Sequence, residues 1–189
     1  MPRPTSFPVS DSFAYAVGLL LDYADTTLPM VPLVKGLFYL DLTWLRDHGT
    51  TFTGVNYVAL DHGPVPDNYK GRLKKMEEDG LIQLGEVPLA PGIVAKPVTL
   101  LVPPPPPEPD LGRVARELAE WVGRGRRSVD LSEIAHKNVA WQQAFHQGGN
   151  GTPINMIAAL DQILEPDPWL DDPVDPRERA AVPDDMEEL

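Results

Sequence analysis

The sequence predicts an α+β fold: a mainly α-helical single domain with one small antiparallel sheet, outlined as a winged-helix-like hairpin. Two observations carry this. Apolar residues recur at helical spacing on both sides of the chain's middle, and a helix stopped by Gly80 runs into two short strand-like segments, Leu81–Leu84 and Val98–Val102. A third, the clustering of the prolines, divides the 189 residues into an irregular leader (1–10), one domain (11–164) with a proline-rich connection at 87–109 inside it, and an acidic proline-rich tail (165–189). A chain of this size hides roughly 70% of its unfolded surface, enough for a core without staples.

Each element has a local reason. Asp11 or Ser12 caps a first helix to about Ala24, with Phe13, Ala16, Val17, Leu20 and Leu21 on one stripe. Pro32 suits a first helical turn, so a second helix runs from about Leu33 to Asp47, with Gly49 as its C-terminal stop. Thr50–Leu60 is β-branched and aromatic and reads as strand, with a helical turn at Gly54-Val55-Asn56 as the alternative. His62-Gly63-Pro64-Val65-Pro66 reads as a tight connection, after which Asp67 caps a third helix to Asp79, with Tyr69, Leu73 and Met76 inward. Pro103–Pro107 form a stiff spacer of roughly 15 Å if extended as polyproline II. Asp110 is expected to cap a fourth helix with stripe Leu111, Val114, Ala115, Leu118 and Val122. Asp130 with Glu133 forms a capping-box pattern for a fifth helix through His136. Asn138 caps a sixth with Trp141 and Phe145, and a last helix spans about Ile154–Leu164.

Composition excludes several functions. There is no cysteine, so disulfides, iron–sulfur clusters and a cysteine nucleophile are ruled out. No apolar run nears the ~20 residues that span a bilayer, and the start lacks the pattern of a signal peptide, so a cytoplasmic protein without membrane contact is expected. The net charge of −12 is uneven: Asp161–Leu189 holds eleven acidic residues against Arg177 and Arg179. The near-neutral body and acidic tail argue against nucleic acid as a partner, since such binding needs clustered cations. Lys70, Arg72, Lys74 and Lys75 lie on the third helix, but acids balance them within Asp67–Asp79. Arg124, Arg126 and Arg127 read as a solvated basic turn.

No catalytic constellation is visible. Ser132 and His136 are one helical turn apart, but the orienting acid, oxyanion hole and strained turn of a nucleophilic site are missing, so a hydrogen-bonding role is expected. His48, His62, His136 and His146 have no metal-ligand spacing, and Glu77–Glu78–Asp79 is a solvated run at a helix end. No phosphate loop, dinucleotide fingerprint or nucleophile elbow occurs. We therefore expect no enzyme, no cofactor and no metal.

Three segments in order carry a resemblance. They are Lys35-Gly36-Leu37-Phe38-Tyr39-Leu40-Asp41, then Thr53–Pro66 with its Gly63-Pro64-Val65 turn and Tyr69 beyond, then Leu131-Ser132-Glu133-Ile134-Ala135-His136 followed by Trp141. Together they resemble the Panacea antitoxin domain, also called SocA-like antitoxins, over about Ala14–Leu160. Gly36 departs from the family's usual leucine and is expected to loosen its helix. The resemblance implies a non-catalytic antitoxin that neutralises a cognate protein toxin, encoded by an adjacent gene and of a kind that inhibits translation, by direct contact. A protease is a further partner known in the group. A winged-helix transcriptional regulator or a proteolytic adaptor is the alternative. His62, Ser132, His136 and, in the tail, Trp169 and Leu170 are the candidate partner-binding residues. Gly63, Pro64, Tyr69 and Trp141 are the expected fold-determining ones.

Overall fold

The computed structural model describes residues 7–123 and 127–161. Trp169, Leu170, the tail, Arg124 and Arg126 lie outside the described residues. Helix α1 (Ser12–Tyr23) starts as expected, with the Asp11 carboxylate accepting the Ala14 N–H at 3.0 Å. It is buried nearly all round, and even Phe7 from the leader packs over Gly18. Helix α2 (Met30–His48) holds Pro32 in its first turn and ends on Gly49 in the left-handed conformation, φ 77°. Gly36 does not break it. A Cβ there would lie 3.2 Å from Leu20 and 3.7 Å from Val122, so glycine lets α1 and α4 close on this helix.

The winged-helix outline holds and has one strand more than the sequence suggested. The three short strands β1 (Thr27–Pro29), β4 (Ile82–Leu84) and β7 (Pro97–Leu100) form an antiparallel sheet in the order β1-β7-β4. β1 had read only as proline punctuation. Its register sets Leu28 opposite Val98, and both are buried. The connection between β4 and β7 is itself a hairpin, β5 (Val87–Ala90) with β6 (Ile93–Ala95), whose Val87, Leu89 and Val94 are exposed.

Between α2 and α3 (Tyr69–Glu78) lies a second hairpin, β2 (Tyr57–Leu60) with β3 (Gly63–Pro66). The predicted tight connection is therefore half strand. Only Asp61 and His62 form the turn, and Pro64 and Pro66 sit in β3 opposite Ala59 and Tyr57. Two prolines in four residues disguise a strand because they cannot donate to a ladder. The expected long strand from Thr50 shortens to β2, because Gly54 takes φ 67° and Thr53 turns its N–H to a side chain. The outer edge of β2 is covered by 151–154, with Ala59 N–H donating to Thr152 O and Ile154 N–H to Tyr57 O, each 2.8 Å.

Four further boundaries differ from expectation. Asn68, at φ 52°, caps α3 in place of Asp67, whose N–H is held by Asn56 O. Helix α4 (Pro109–Gly123) begins on proline, leaving Asp110 inside its first turn. Helix α5 (Ser128–His136) begins before Asp130, whose carboxylate reaches back to the Arg127 N–H at 3.0 Å. The last helix starts later than expected: Pro153 and Ile154 extend the hairpin instead, a 3₁₀ turn (Ala158–Leu160) follows, and 162–164 lie outside the described residues. Helix α6 (Val139–Gly148) is capped by Asn138 as predicted: the side-chain oxygen accepts the Trp141 N–H at 3.1 Å. The polyproline run lies against α1, where the Tyr15 hydroxyl donates to Pro105 O at 3.0 Å.

Candidate functional site

The three motif segments, 35–41, 53–69 and 131–141, are far apart in sequence and meet at the β2–β3 turn. Three helices each send one side chain to a carbonyl of that turn. Lys35 of α2 donates from Nζ to Pro64 O at 3.0 Å. His136, the last residue of α5, bonds through Nε2 to Asp61 O at 2.9 Å. Trp141 of α6 donates from Nε1 to Leu60 O at 3.0 Å. A carbonyl can only accept, so His136 carries its proton on Nε2. Its ring also stacks on Trp141 at 4.3 Å between centroids, and Trp141 in turn stacks on Phe145 at 5.0 Å. Each bond contributes about 1 kcal/mol net, and together they fix the shape of the turn.

Gly63 explains why the turn accepts no larger residue. Its φ is 98°, and a Cβ would lie 2.6 Å from Lys35 Nζ and 3.0 Å from Ala135 Cβ. Lys35 is fully buried, and burial lowers its amine to about 7. The His136 imidazole is also held below its ordinary value, first by burial and then by Lys35 and His62, with the Asp61 carbonyl and Glu133 acting the other way. Burial thus disfavours the charged form of both side chains, each of which bonds a backbone carbonyl.

Beneath the turn is a second buried network, on Asp41 of α2. Its carboxylate accepts the Thr53 N–H at 2.8 Å, the Thr53 hydroxyl, and the Tyr57 hydroxyl at 2.8 Å. Tyr57 also lies 2.9 Å from Leu37 O and packs edge-on to Phe38. Burial raises both Asp41 and Tyr57, in Asp41 against the lowering effect of these hydrogen bonds. The network anchors the 50–56 loop and the start of β2 to α2. The composition of α2 held the signal for both networks: Lys35 and Asp41 are charged residues inside an otherwise apolar stretch, and such charges stay only where hydrogen bonds meet them.

The site residues expected from sequence divide. His62 is exposed at the apex of the turn beside Asp61, whose carboxylate accepts from the Asn150 amide at 3.0 Å. His136 is half-buried at its flank. Ser132 is buried on α5, and no hydrogen bond joins it to His136. Gly63, Pro64 and Trp141 are part of the clamp. Tyr69 is half-buried at the start of α3 and makes no hydrogen bond to the turn. Lys35 was quoted within the motif but not among the site residues, yet it is the clamp's most buried member. Among the described residues no group of histidine, aspartate and glutamate side chains is disposed to hold a metal ion, and no helix is long and apolar enough to cross a membrane.

These motifs decide the comparison with known families. Residues 33–83 match the family model of the SocA-like antitoxin, Panacea domain. No curated protein and no solved structure matches the chain. The Panacea match begins in α2 and ends in β4, so it takes in Lys35, Asp41, the whole β2–β3 hairpin and α3. It stops short of Ser132, His136 and Trp141, which the fold brings back onto the matched hairpin. The resemblance read from the residues thus holds over this segment.

Proposed function

We propose that this protein is an antitoxin that neutralises a cognate protein toxin by direct contact, and that the β2–β3 turn with its flank forms part of the contact face. The observation that carries the reading is the three-sided clamp: three helices hold one small turn whose apex, Asp61 and His62, is exposed, and the His62 side chain takes part in none of the clamp's bonds. A rigid exposed turn loses little entropy on binding. The reading is non-catalytic: Lys35, His136 and Trp141 each commit a polar group to a backbone carbonyl. Trp169 and Leu170, in the acidic tail, are proposed as apolar anchors on the same partner, with the tail's charge speeding association with a basic toxin. A toxin that blocks translation, encoded by the adjacent gene, fits that charge.

The test is co-expression with the neighbouring gene product. Induced alone it is expected to arrest growth; with this chain, growth returns and the two copurify. His62→Ala, which touches no clamp bond, is expected to weaken the complex at least tenfold while leaving stability unchanged. A harmless neighbour would contradict the antitoxin reading, and full neutralisation by His62→Ala would move the contact face elsewhere.

A second reading, a winged-helix regulator, is favoured by the strand order β1-β7-β4 following α3. Against it, Lys75 of α3 is paired with Asp79, and Glu78 and Asp67 flank the remaining cations. A proteolytic adaptor would use the same turn and would deliver the partner to a protease.

A further inference from the structure

We propose that Lys35 is a proton-coupled latch on the β2–β3 turn: the neutral amine holds the turn shut, and opening of the turn takes up one proton on Nζ. The geometry carries this. Lys35 is fully buried, and among the described residues its amine has one acceptor, Pro64 O, and no carboxylate partner. A neutral amine has two N–H groups to place; an ammonium has three and a charge. One carbonyl serves the first far better than the second, and an unpaired buried charge is costly.

The surroundings offer no relief. The ionisable groups nearby are His136 and Glu133 on α5 and His62 and Asp61 on the turn. Two of them are bases, Glu133 is exposed, and the Asp61 carboxylate is engaged by Asn150. β3 contributes Gly63, Pro64 and Val65, none of which titrates. Where α1 and α4 close on α2, at Gly36, they bring Leu20 and Val122. On α2 itself, Asp41 is committed to Thr53 and Tyr57. Water can reach Nζ only if the turn lifts from α2 and α5. Gly63, already at φ 98°, lets the turn hinge there without a side chain in the way.

The closed state holds its lysine proton less tightly than the open state, with midpoints of about 7 closed and about 10.4 open. Opening therefore grows about tenfold for each unit of pH fall between those values, and levels off below the lower one. His136, lowered from its ordinary value, couples only below about pH 6.5. The two groups act in separate windows.

The functional consequence, a partner face that tightens with rising pH, rests on the antitoxin reading; the latch does not. Amide hydrogen exchange of the full chain without any partner, corrected for the intrinsic pH dependence of exchange, tests it over residues 57–66. The expected profile rises about tenfold per unit of pH fall from about pH 9.5 to about pH 7, then flattens. Lys35→Met is expected to remove the slope and keep the hairpin protected, while α1 shows no slope in either protein. A flat wild-type profile, a slope that survives Lys35→Met, or a slope confined below about pH 6.5 would overturn the latch. Should Lys35→Met not fold, carbon-13 resonances at lysine Cε in the wild type decide: one lysine titrating near 7 supports the latch, and all lysines near 10.4 overturns it.

Discussion

Single residues carry most of the site's chemistry, and their substitutions have distinct signatures. Trp141→Phe keeps the ring between His136 and Phe145 but deletes the donor to Leu60 O, and is expected to cost about 1–2 kcal/mol in urea unfolding. Gly63→Ala meets both a left-handed φ and the Lys35 amine, so a loss above about 2 kcal/mol is expected, partly recovered when Lys35→Ala is added. Tyr57→Phe removes a hydroxyl from Asp41, and about 1.5–3 kcal/mol should be lost. Asp41 itself sets a pH dependence. Its folded carboxyl binds a proton more tightly than the unfolded one, so between the unfolded value near 3.9 and the raised folded value the native state holds more protons. This contribution to stability therefore falls as pH rises through that window, and Asp41→Asn should abolish it, as pH-dependent unfolding would reveal. The motif residues themselves were legible in the sequence through the order and spacing of the three segments, and Lys35 also stands out as a charge among apolar neighbours. Their purpose was not. That His136 serves a carbonyl 75 positions away, and that Ser132 is its buried neighbour with no bond to it, depends on packing that no local spacing encodes.

At the scale of elements, helices were more legible than strands. α1, α2 and α6 start and stop on Asp11, Gly49 and Asn138 as read, because caps act within one turn. β1 and β3 were hidden by prolines, and each is held by a partner distant in sequence, β1 by β7 and β3, besides its hairpin mate β2, by Lys35. The residues of α5 and α4 near Asp130 and Asp110 were shifted because an acid serves equally as a cap or within the first turn. The β5–β6 hairpin is an outlying element, exposed along β5 and anchored where Met30 N–H meets Lys96 O at 2.9 Å. Replacing Val87–Ala95 by a short glycine–asparagine loop should leave thermal unfolding within a few degrees of wild type, since little apolar area is buried there. A drop above about 10 °C would mean that the hairpin covers core, contrary to its exposure.

For the whole molecule, the fold class and the winged-helix outline follow from the sequence because patterning and turn signals agree across levels. The convergence of 35–41, 57–66 and 131–141 on one turn required the tertiary fold. The charge division is also a whole-molecule property. With eleven acidic residues beyond residue 160, removal of 165–189 is expected to leave the domain's unfolding midpoint unchanged and to slow association with a basic partner, most at low salt. Stopped-flow binding at two ionic strengths checks both the rate and its screening. We propose the clamped turn as the face by which this protein restrains a toxin. The most direct measurement is the affinity of the copurified complex for wild type, His62→Ala and a distant surface control, Val87→Ala. At least a tenfold loss for His62→Ala alone, with folding intact, is the predicted result. Equal affinity for all three would contradict it.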